Sequence, residues 1–319
     1  MGAGKSVGGS QIFWQIRPSS GVNFRSIGYC PSFKILPNPH MNRSFAIACL
    51  WVASVFASNG SETLIYKTAG DTPLKMLVDK PADWKATDKR PAIVFFFGGG
   101  WVGGTVTQFQ RHCVYLASRG MVSIRVDYRV IPKGEKGPPV MCVADAKSAM
   151  RYVYSHATEL GVDTERIAAG GGSAGGHLAA FTGLVDGLDD PQDDLKVPCK
   201  PKALVLFNPV FDNGPGQWGH ERVGERYLEF SPAHHIAKGA PPTVVFLGDK
   251  DELIPVSVVS GFEANMRKVG SRCEVHIYPG VGHGFFNKEE YYRKTVIEAD
   301  KFLGSLGWIK GEPTLTQAP

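Results

Sequence analysis

The sequence predicts an α/β protein built on a mainly parallel sheet of about eight strands with helices on both faces. Three observations carry this. Continuous apolar runs such as AIVFFFG (92–98), ALVLFNPV (203–210) and PTVVFLG (242–248) suit strands buried on both faces. Helical patterns separate most of these runs, and such alternation implies parallel strands joined by crossover helices. Of the 319 residues, 43% are hydrophobic and 20% charged, the proportions of an ordinary globule with a large core.

In chain order, TLIYKT (63–68) and LKMLVDK (74–80) read as two opening antiparallel strands joined through AGDTP. AIVFFFG (92–98), MVSIRVDY (121–128), RIAAGG (166–171), ALVLFNPV (203–210), PTVVFLG (242–248) and CEVHIYPG (273–280) follow as strands three to eight. Helical patterns occupy 106–118, 140–159, 174–185, 256–268 and 288–305, the second entered through Pro138-Pro139. The stretch 211–240 is rich in Gly, Pro, His and Trp and weakly periodic. It reads as an insertion near the C-terminal ends of the strands, the edge at which open α/β sheets bind ligands. No internal repeat or low-complexity tract is present.

The net charge of +5 has a local origin. Residues 1–57 hold five basic residues and no acid, while the remaining 30 Lys and Arg balance 30 Asp and Glu. A neutral globular part has no electrostatic footprint for nucleic acid or an anionic membrane. From Met41 the chain reads MNRSFAIACLWVASVFASNG: Arg43 precedes an apolar run, Phe45 to Phe56, that is short for a membrane span. This predicts a signal peptide over 41–57 cleaved near Ala57, export, and no stable membrane anchor. Met41 is then the expected start and residues 1–40 an over-extended or targeting segment; a transit peptide is the alternative, the segment being acid-poor. The opening MGAGKS fits a loose myristoylation pattern and ends like a phosphate loop, but it lacks that loop's first glycine and its preceding strand. Cys113, Cys142, Cys199 and Cys273 follow the cleavage point without a CxxC or zinc spacing, so no metal site is expected. Their three full pairings and buried free thiols stay open.

Gly171-Gly172-Ser173-Ala174-Gly175 is G-x-S-x-G between a predicted strand and a predicted helix, the context of a nucleophile elbow. A Gly-rich phosphate-binding turn is the alternative reading. An alcohol needs a base that is itself oriented by an acid. In an elbow-type hydrolase the order along the chain is serine, acid, histidine. The loops GDKDELIP (248–255) and GVGHGFF (280–286) leave strands seven and eight at the elbow's edge of the sheet. Of nine histidines, His283 alone occupies a Gly-flanked loop after the last strand. His177 sits one helical turn past Ser173 as a structural residue, His234 and His235 lie in the insertion, and His276 lies inside a strand. Asp249, Asp251 and Glu252 compete for the acid. Gly98, Gly99 and Gly100 follow a very hydrophobic strand. A glycine loop there can aim bare amides at a developing oxyanion, which assigns donors to Gly99 and Gly100, with Ala174 as the third. A nucleotide-phosphate loop is the competing reading, but no GxGxxG is present.

FGGGWVGG (97–104), DYR (127–129), GVDTERIAAGGGSAGGHLA (161–179), GDKDELIP (248–255) and GVGHGFF (280–286) together resemble the α/β-hydrolases of the hormone-sensitive-lipase-like and carbohydrate-esterase group. The resemblance covers nearly all of 62–305. It implies an α/β-hydrolase fold, one catalytic domain over 58–319, and a serine carboxylesterase working through an acyl-enzyme on Ser173, with His283 as base and no metal or organic cofactor. The family pattern G-x-x-D-x-x-[VI]-P selects Asp251 as the acid. The GGSAGGH elbow is similar to that of bacterial feruloyl and acetylxylan esterases, which implies a small-molecule or oligosaccharide ester substrate carrying acetyl or feruloyl groups. Relatives of the lipase-like branch carry Asp or Glu where this chain has Gly172, and the family loop usually begins with His where this chain has Phe97. Phe97, Trp101 and Phe285 are expected to line the substrate pocket. Other hydrolase activities on this scaffold (lipase-like esterase, peptidase, formamidase) and a non-catalytic ligand-binding relative are the alternatives. Non-catalytic relatives commonly lose a member of the triad, and this chain keeps all three.

Overall fold

The computed structural model describes residues 60–315; the expected leader and signal peptide (1–40 and 41–57) lie outside them. Eight strands form one sheet: β1 (Glu62–Ala69), β2 (Thr72–Asp79), β3 (Arg90–Phe96), β4 (Val122–Val126), β5 (Val162–Gly172), β6 (Ala203–Phe207), β7 (Thr243–Gly248) and β8 (Cys273–Tyr278). Their spatial order is β1-β2-β4-β3-β5-β6-β7-β8. The β1–β2 and β2–β4 pairs are antiparallel, and every later pair is parallel. Five longer helices cross between strands or close the chain: α1 (Gln110–Ser118), α2 (Val140–Ser155), α3 (Ala174–Leu184), α4 (Val256–Lys268) and α5 (Glu289–Ser305). The expected helix over 140–159 divides at His156 into α2 and a single turn, Ala157–Leu160, which Gly161 ends in the left-handed region at φ 65°. No helix among the described residues is long and apolar enough to cross a membrane.

The sheet is a central layer because its strands are apolar on both faces. Along β3, Ala92, Val94 and Phe96 join one core with Ile124, Val153 and Leu178, while Ile93 and Phe95 join the other with Leu116, Val244 and Phe302. This is the period-2 alternation of a strand covered on both sides. Charge ties the antiparallel end to α2. The fully buried Asp145 accepts Arg129 Nε and Nη2 at 2.8 and 2.7 Å and Lys67 Nζ at 2.8 Å. Removing one partner of such a buried group typically costs about 3–5 kcal/mol.

The four described cysteines are free thiols: Cys113 and Cys142 are buried, Cys199 and Cys273 half-buried. Burial pushes Cys142 and Cys273 up to about 12.

His112 is the unusual group in the second core. Its ring is boxed by Phe95, Phe109, Phe207, Phe286 and Tyr292, and neither nitrogen has a hydrogen-bond partner. Burial, aided by the charge of Arg111, lowers its pKa from 6.5 to about 3. The native ring therefore stays neutral where the unfolded chain takes up a proton. Folding stability falls as pH drops from about 6.5 towards about 3. The prediction is that His112→Phe, which keeps a ring in the box, gains stability relative to the parent at pH 5 compared with pH 8, measured by urea unfolding. An equal difference at the two pH values contradicts it.

Candidate active site

β5 ends at Gly172 and α3 begins at Ala174, so one residue makes the whole turn. That residue, Ser173, has φ 54° and ψ −120°, a conformation that L residues rarely adopt and that costs about 1–3 kcal/mol. The sheet holds it there. Ser173 N–H donates to the Phe207 carbonyl at 2.9 Å, and the Ser173 carbonyl accepts His177 N–H at 2.9 Å. The surrounding glycines leave no room for side chains. A Cβ on Gly171 would lie 2.7 Å from the Phe96 carbonyl oxygen, and one on Gly175 would fall well inside 3.0 Å of both the Phe96 and Phe97 carbonyls. At Gly176 it would meet Pro209 at 2.9 Å.

Ser173 Oγ lies 2.8 Å from His283 Nε2, and His283 Nδ1 lies 2.8 Å from Asp251 Oδ2. The other oxygen of Asp251 accepts the backbone N–H groups of Leu253 and Ile254, each at 2.9 Å. The carboxylate thus assigns the proton to Nδ1 and leaves the Nε2 lone pair facing the serine hydroxyl. Asp251 is buried, and the His283 side chain is 22% exposed. The competing groups lie elsewhere. Asp249 accepts Gly280 N–H at 2.7 Å, tying the two loops together, and Glu252 is exposed. His177 is buried and donates from Nε2 to the Phe230 carbonyl at 2.7 Å. His234 pairs with Asp212, His235 reaches the Leu228 carbonyl, and His276 packs on Phe246.

The glycine loop abuts this serine. A Cβ on Gly98 would stand 2.7 Å from the Gly172 oxygen and 3.3 Å from Ser173 Cβ. The Gly98 amide is engaged by Gln108 Oε1 at 2.7 Å, whereas the amides of Gly99, Gly100 and Ala174 have no hydrogen-bond partner among the described residues. Gly99, Gly100 and Trp101 all have positive φ (134°, 63° and 63°), which turns the chain sharply over the serine. The loop needs no histidine at its start. Tyr128 Oη donates to the Phe97 carbonyl at 2.7 Å, the two rings stack with centroids 4.1 Å apart, and Ile131 N–H binds the Trp101 carbonyl at 2.7 Å.

The structure does not place the expected lining residues at a pocket surface. Phe97, Trp101 and Phe285 are all buried and belong to the two cores on either side of the sheet. Phe97 lies under Gly104, Trp101 packs on His177 and Trp218, and Phe285 packs on Tyr278 and Tyr291. Each ring is buried by aromatic partners, those of Phe97 and Trp101 distant in sequence. Two residues at the site escaped the sequence reading. Trp218 reaches from the insertion over the loop, its ring 3.6 Å from where a Gly100 Cβ would be. Asn208, buried and at φ 35°, places Nδ2 3.3 Å from His283 Nε2. Its one signal is the Asn-Pro dipeptide, a turn former, at the end of an apolar run. A cavity of about 690 Å³ opens at the opposite edge of the sheet, among Tyr154, Lys200, Pro201 and Pro241, away from the serine. No cluster of three or more potential metal ligands occurs among the described residues.

Comparison with known proteins identifies the family. Residues 79–212 match the BD-FAE family and residues 228–309 the dienelactone hydrolase family. Solved structures of Thermogutta terrifontis esterase 2, among them apo, paraoxon-phosphorylated, propionate-bound and butyrate-bound forms, are similar. The apo form has a TM-score of 0.75 and 44% identity over 80% of this chain and 97% of that one. Esterase LipC of Mycobacterium tuberculosis is 30% identical over 68% of this chain and 58% of its own length. The acetylxylan esterase of Xylanibacter ruminicola is 27% identical over 70% of this chain and 46% of its own. The match thus spans about half the length of these two curated relatives. The chain belongs to the α/β-hydrolase superfamily, in its esterase group.

The space that an acidic side chain would need at Gly172 is filled by the ring of Phe286, which would stand at 3.0 Å or less from an added Cβ. Gly172→Ala is therefore expected to cost about 1–3 kcal/mol by overpacking. Gly172→Ala combined with Phe286→Leu should lose less than the sum of the single variants in thermal or urea unfolding. Strict additivity contradicts this packing.

Proposed function

We propose that this member of the α/β-hydrolase superfamily is a serine carboxylesterase acting on esters of short carboxylic acids, in particular acetyl groups on carbohydrate. The observation that carries the reading is the hydrogen-bonded chain Ser173–His283–Asp251, at 2.8 and 2.8 Å, beside the free amides of Gly99, Gly100 and Ala174. His283 Nε2 takes the Ser173 proton as Oγ attacks the ester carbonyl carbon. The carbonyl oxygen becomes an alkoxide facing the three amides and the N-terminus of α3, where fixed N–H dipoles favour negative charge. His283 then gives its proton to the leaving alcohol, and the acyl group remains on Ser173. Water, deprotonated by His283, adds to the acyl carbon, and collapse releases the acid and restores the serine. Throughout, Asp251 holds the ring by Nδ1 and stabilises the imidazolium.

Three things support the finer reading. Trp218 over Gly100 narrows the space beside the oxyanion loop. The similar esterase 2 has been solved with propionate and with butyrate. The similarity to an acetylxylan esterase favours a carbohydrate ester. An exported enzyme, as the signal-like run Phe45–Phe56 suggests, would meet such substrates outside the cell.

The test is a panel of p-nitrophenyl acetate, butyrate and octanoate, acetylated xylo-oligosaccharide, methyl ferulate and an aryl amide. Expected are the highest kcat/KM on acetyl and butyryl esters, at least about tenfold less on octanoate, and a loss of roughly 10⁴-fold or more in Ser173→Ala. Trp218→Ala should raise octanoate relative to acetate. Preference for the amide, or esterase activity that survives in Ser173→Ala, overturns the proposal.

A further inference from the structure

We propose that Asn208 is a positioning residue that tethers the His283 loop to β6 and shares the Nε2 lone pair with the Ser173 hydroxyl; the inference rests on the esterase reading above. β6 ends at Phe207, whose carbonyl fixes the Ser173 amide. The next residue is Asn208. It is fully buried, stands at φ 35°, and its own N–H is bound by the Phe246 carbonyl at 2.7 Å. Asn tolerates this left-handed region better than most residues with a side chain, so the position favours it on backbone grounds.

The two ends of its amide face different partners. Asn208 Oδ1 accepts Gly284 N–H at 3.1 Å, and Nδ2 lies 3.3 Å from His283 Nε2. A backbone N–H can only donate, so Gly284 fixes which end of the amide is oxygen. The other end, which can only donate, then faces the ring. His283 Nδ1–H already donates to Asp251, so Nε2 is the acceptor and faces two donors: the Ser173 hydroxyl at 2.8 Å and Asn208 Nδ2 at 3.3 Å. A donor aimed at a lone pair stabilises the neutral ring and disfavours the imidazolium. When the serine proton arrives on Nε2, two N–H groups face each other. The proton is then held less tightly and passes on to the leaving alcohol. One side chain thus tethers the histidine loop to β6 and sets how readily its base accepts a proton.

Other groups around the ring do not supply this effect. From the loop after β7, Asp251 touches Nδ1, Asp249 is bound to Gly280 N–H, Lys250 meets Val281 through backbone, and Glu252 is exposed. From α3, His177 is turned to the Phe230 carbonyl. At the start of α5, Glu289 is paired with Arg111 and Arg293, and Glu290 with Lys294. Asn208 and Ser173 are the uncharged contacts on Nε2.

The experiment compares the parent with Asn208→Asp and Asn208→Ala. In Asn208→Asp a carboxylate replaces the donor, still accepts Gly284 N–H, and can accept Nε2–H of the imidazolium. The acid limb of kcat/KM on p-nitrophenyl acetate should move up by about one pH unit or more, because a nearby negative charge favours the protonated ring. Asn208→Ala should move it up by less and lower kcat more than it raises KM. The same midpoints are read without turnover by ¹⁵N NMR titration of histidine-labelled protein, with His283 assigned by His283→Gln. An inactive parent would sink the esterase reading while the NMR titration still decided this one. If Asn208→Asp does not fold, the upward NMR shift in Asn208→Ala is the test. A His283 midpoint within about 0.3 units of the parent in every variant that folds overturns the proposal, even if activity falls.

Discussion

Everything at this site depends on the absence of space between β5 and β3. Gly171 and Gly175 lie so close to the carbonyls of Phe96 and Phe97 that a single added carbon cannot be accommodated. That contact lets the chain reverse from strand to helix across one residue, and it forces Ser173 to φ 54°. A strain of about 1–3 kcal/mol at one residue is small against the burial of a sheet that is apolar on both faces. The sheet order then does the rest. β6, β7 and β8 follow β5 in sequence and in space, all parallel, so the loops after β7 and β8 open beside the elbow. Asp251 and His283 reach Ser173 because of that order, across 78 and 110 positions of chain.

The glycine loop over Ser173 shows how a family feature is replaced by a different interaction. Where a histidine usually stands, this chain has Phe97, and the support comes from the other side. Tyr128 donates to the Phe97 carbonyl and stacks on its ring. Tyr128 is in turn flanked by Arg129, which is clamped on the buried Asp145 of α2. The DYR segment thus links the loop to the ion network at the antiparallel end of the sheet. Gln108 secures Gly98, and the next two amides remain free.

The parts of this arrangement that were legible in the sequence are those written in residue type over short spans. Glycines around one serine, glycines after an apolar strand, and a Gly-flanked histidine after the last strand each declare a backbone that a side chain would block. What depends on distant partners was not legible. Phe97, Trp101 and Phe285 are buried by Tyr128, His177 and Tyr291, and no local pattern announces those contacts. Asn208 was hidden for another reason. The apolar run 203–210 continues through Pro209 and Val210, but the strand stops at Phe207, where a positive φ turns the chain. Hydropathy carries no record of that dihedral. The expected helix over 140–159 likewise continued past His156, because the break and the αL glycine that ends the next turn are backbone events.

On the proposed chemistry, the elbow makes Ser173 a uniquely activated nucleophile. The most direct measurement is peptide mass mapping after brief exposure to paraoxon at neutral pH, with His283→Ala treated in parallel. One diethylphosphoryl group is expected, carried by Ser173, with little or none in His283→Ala. A modified residue other than Ser173, or equal labelling without the imidazole, would contradict it.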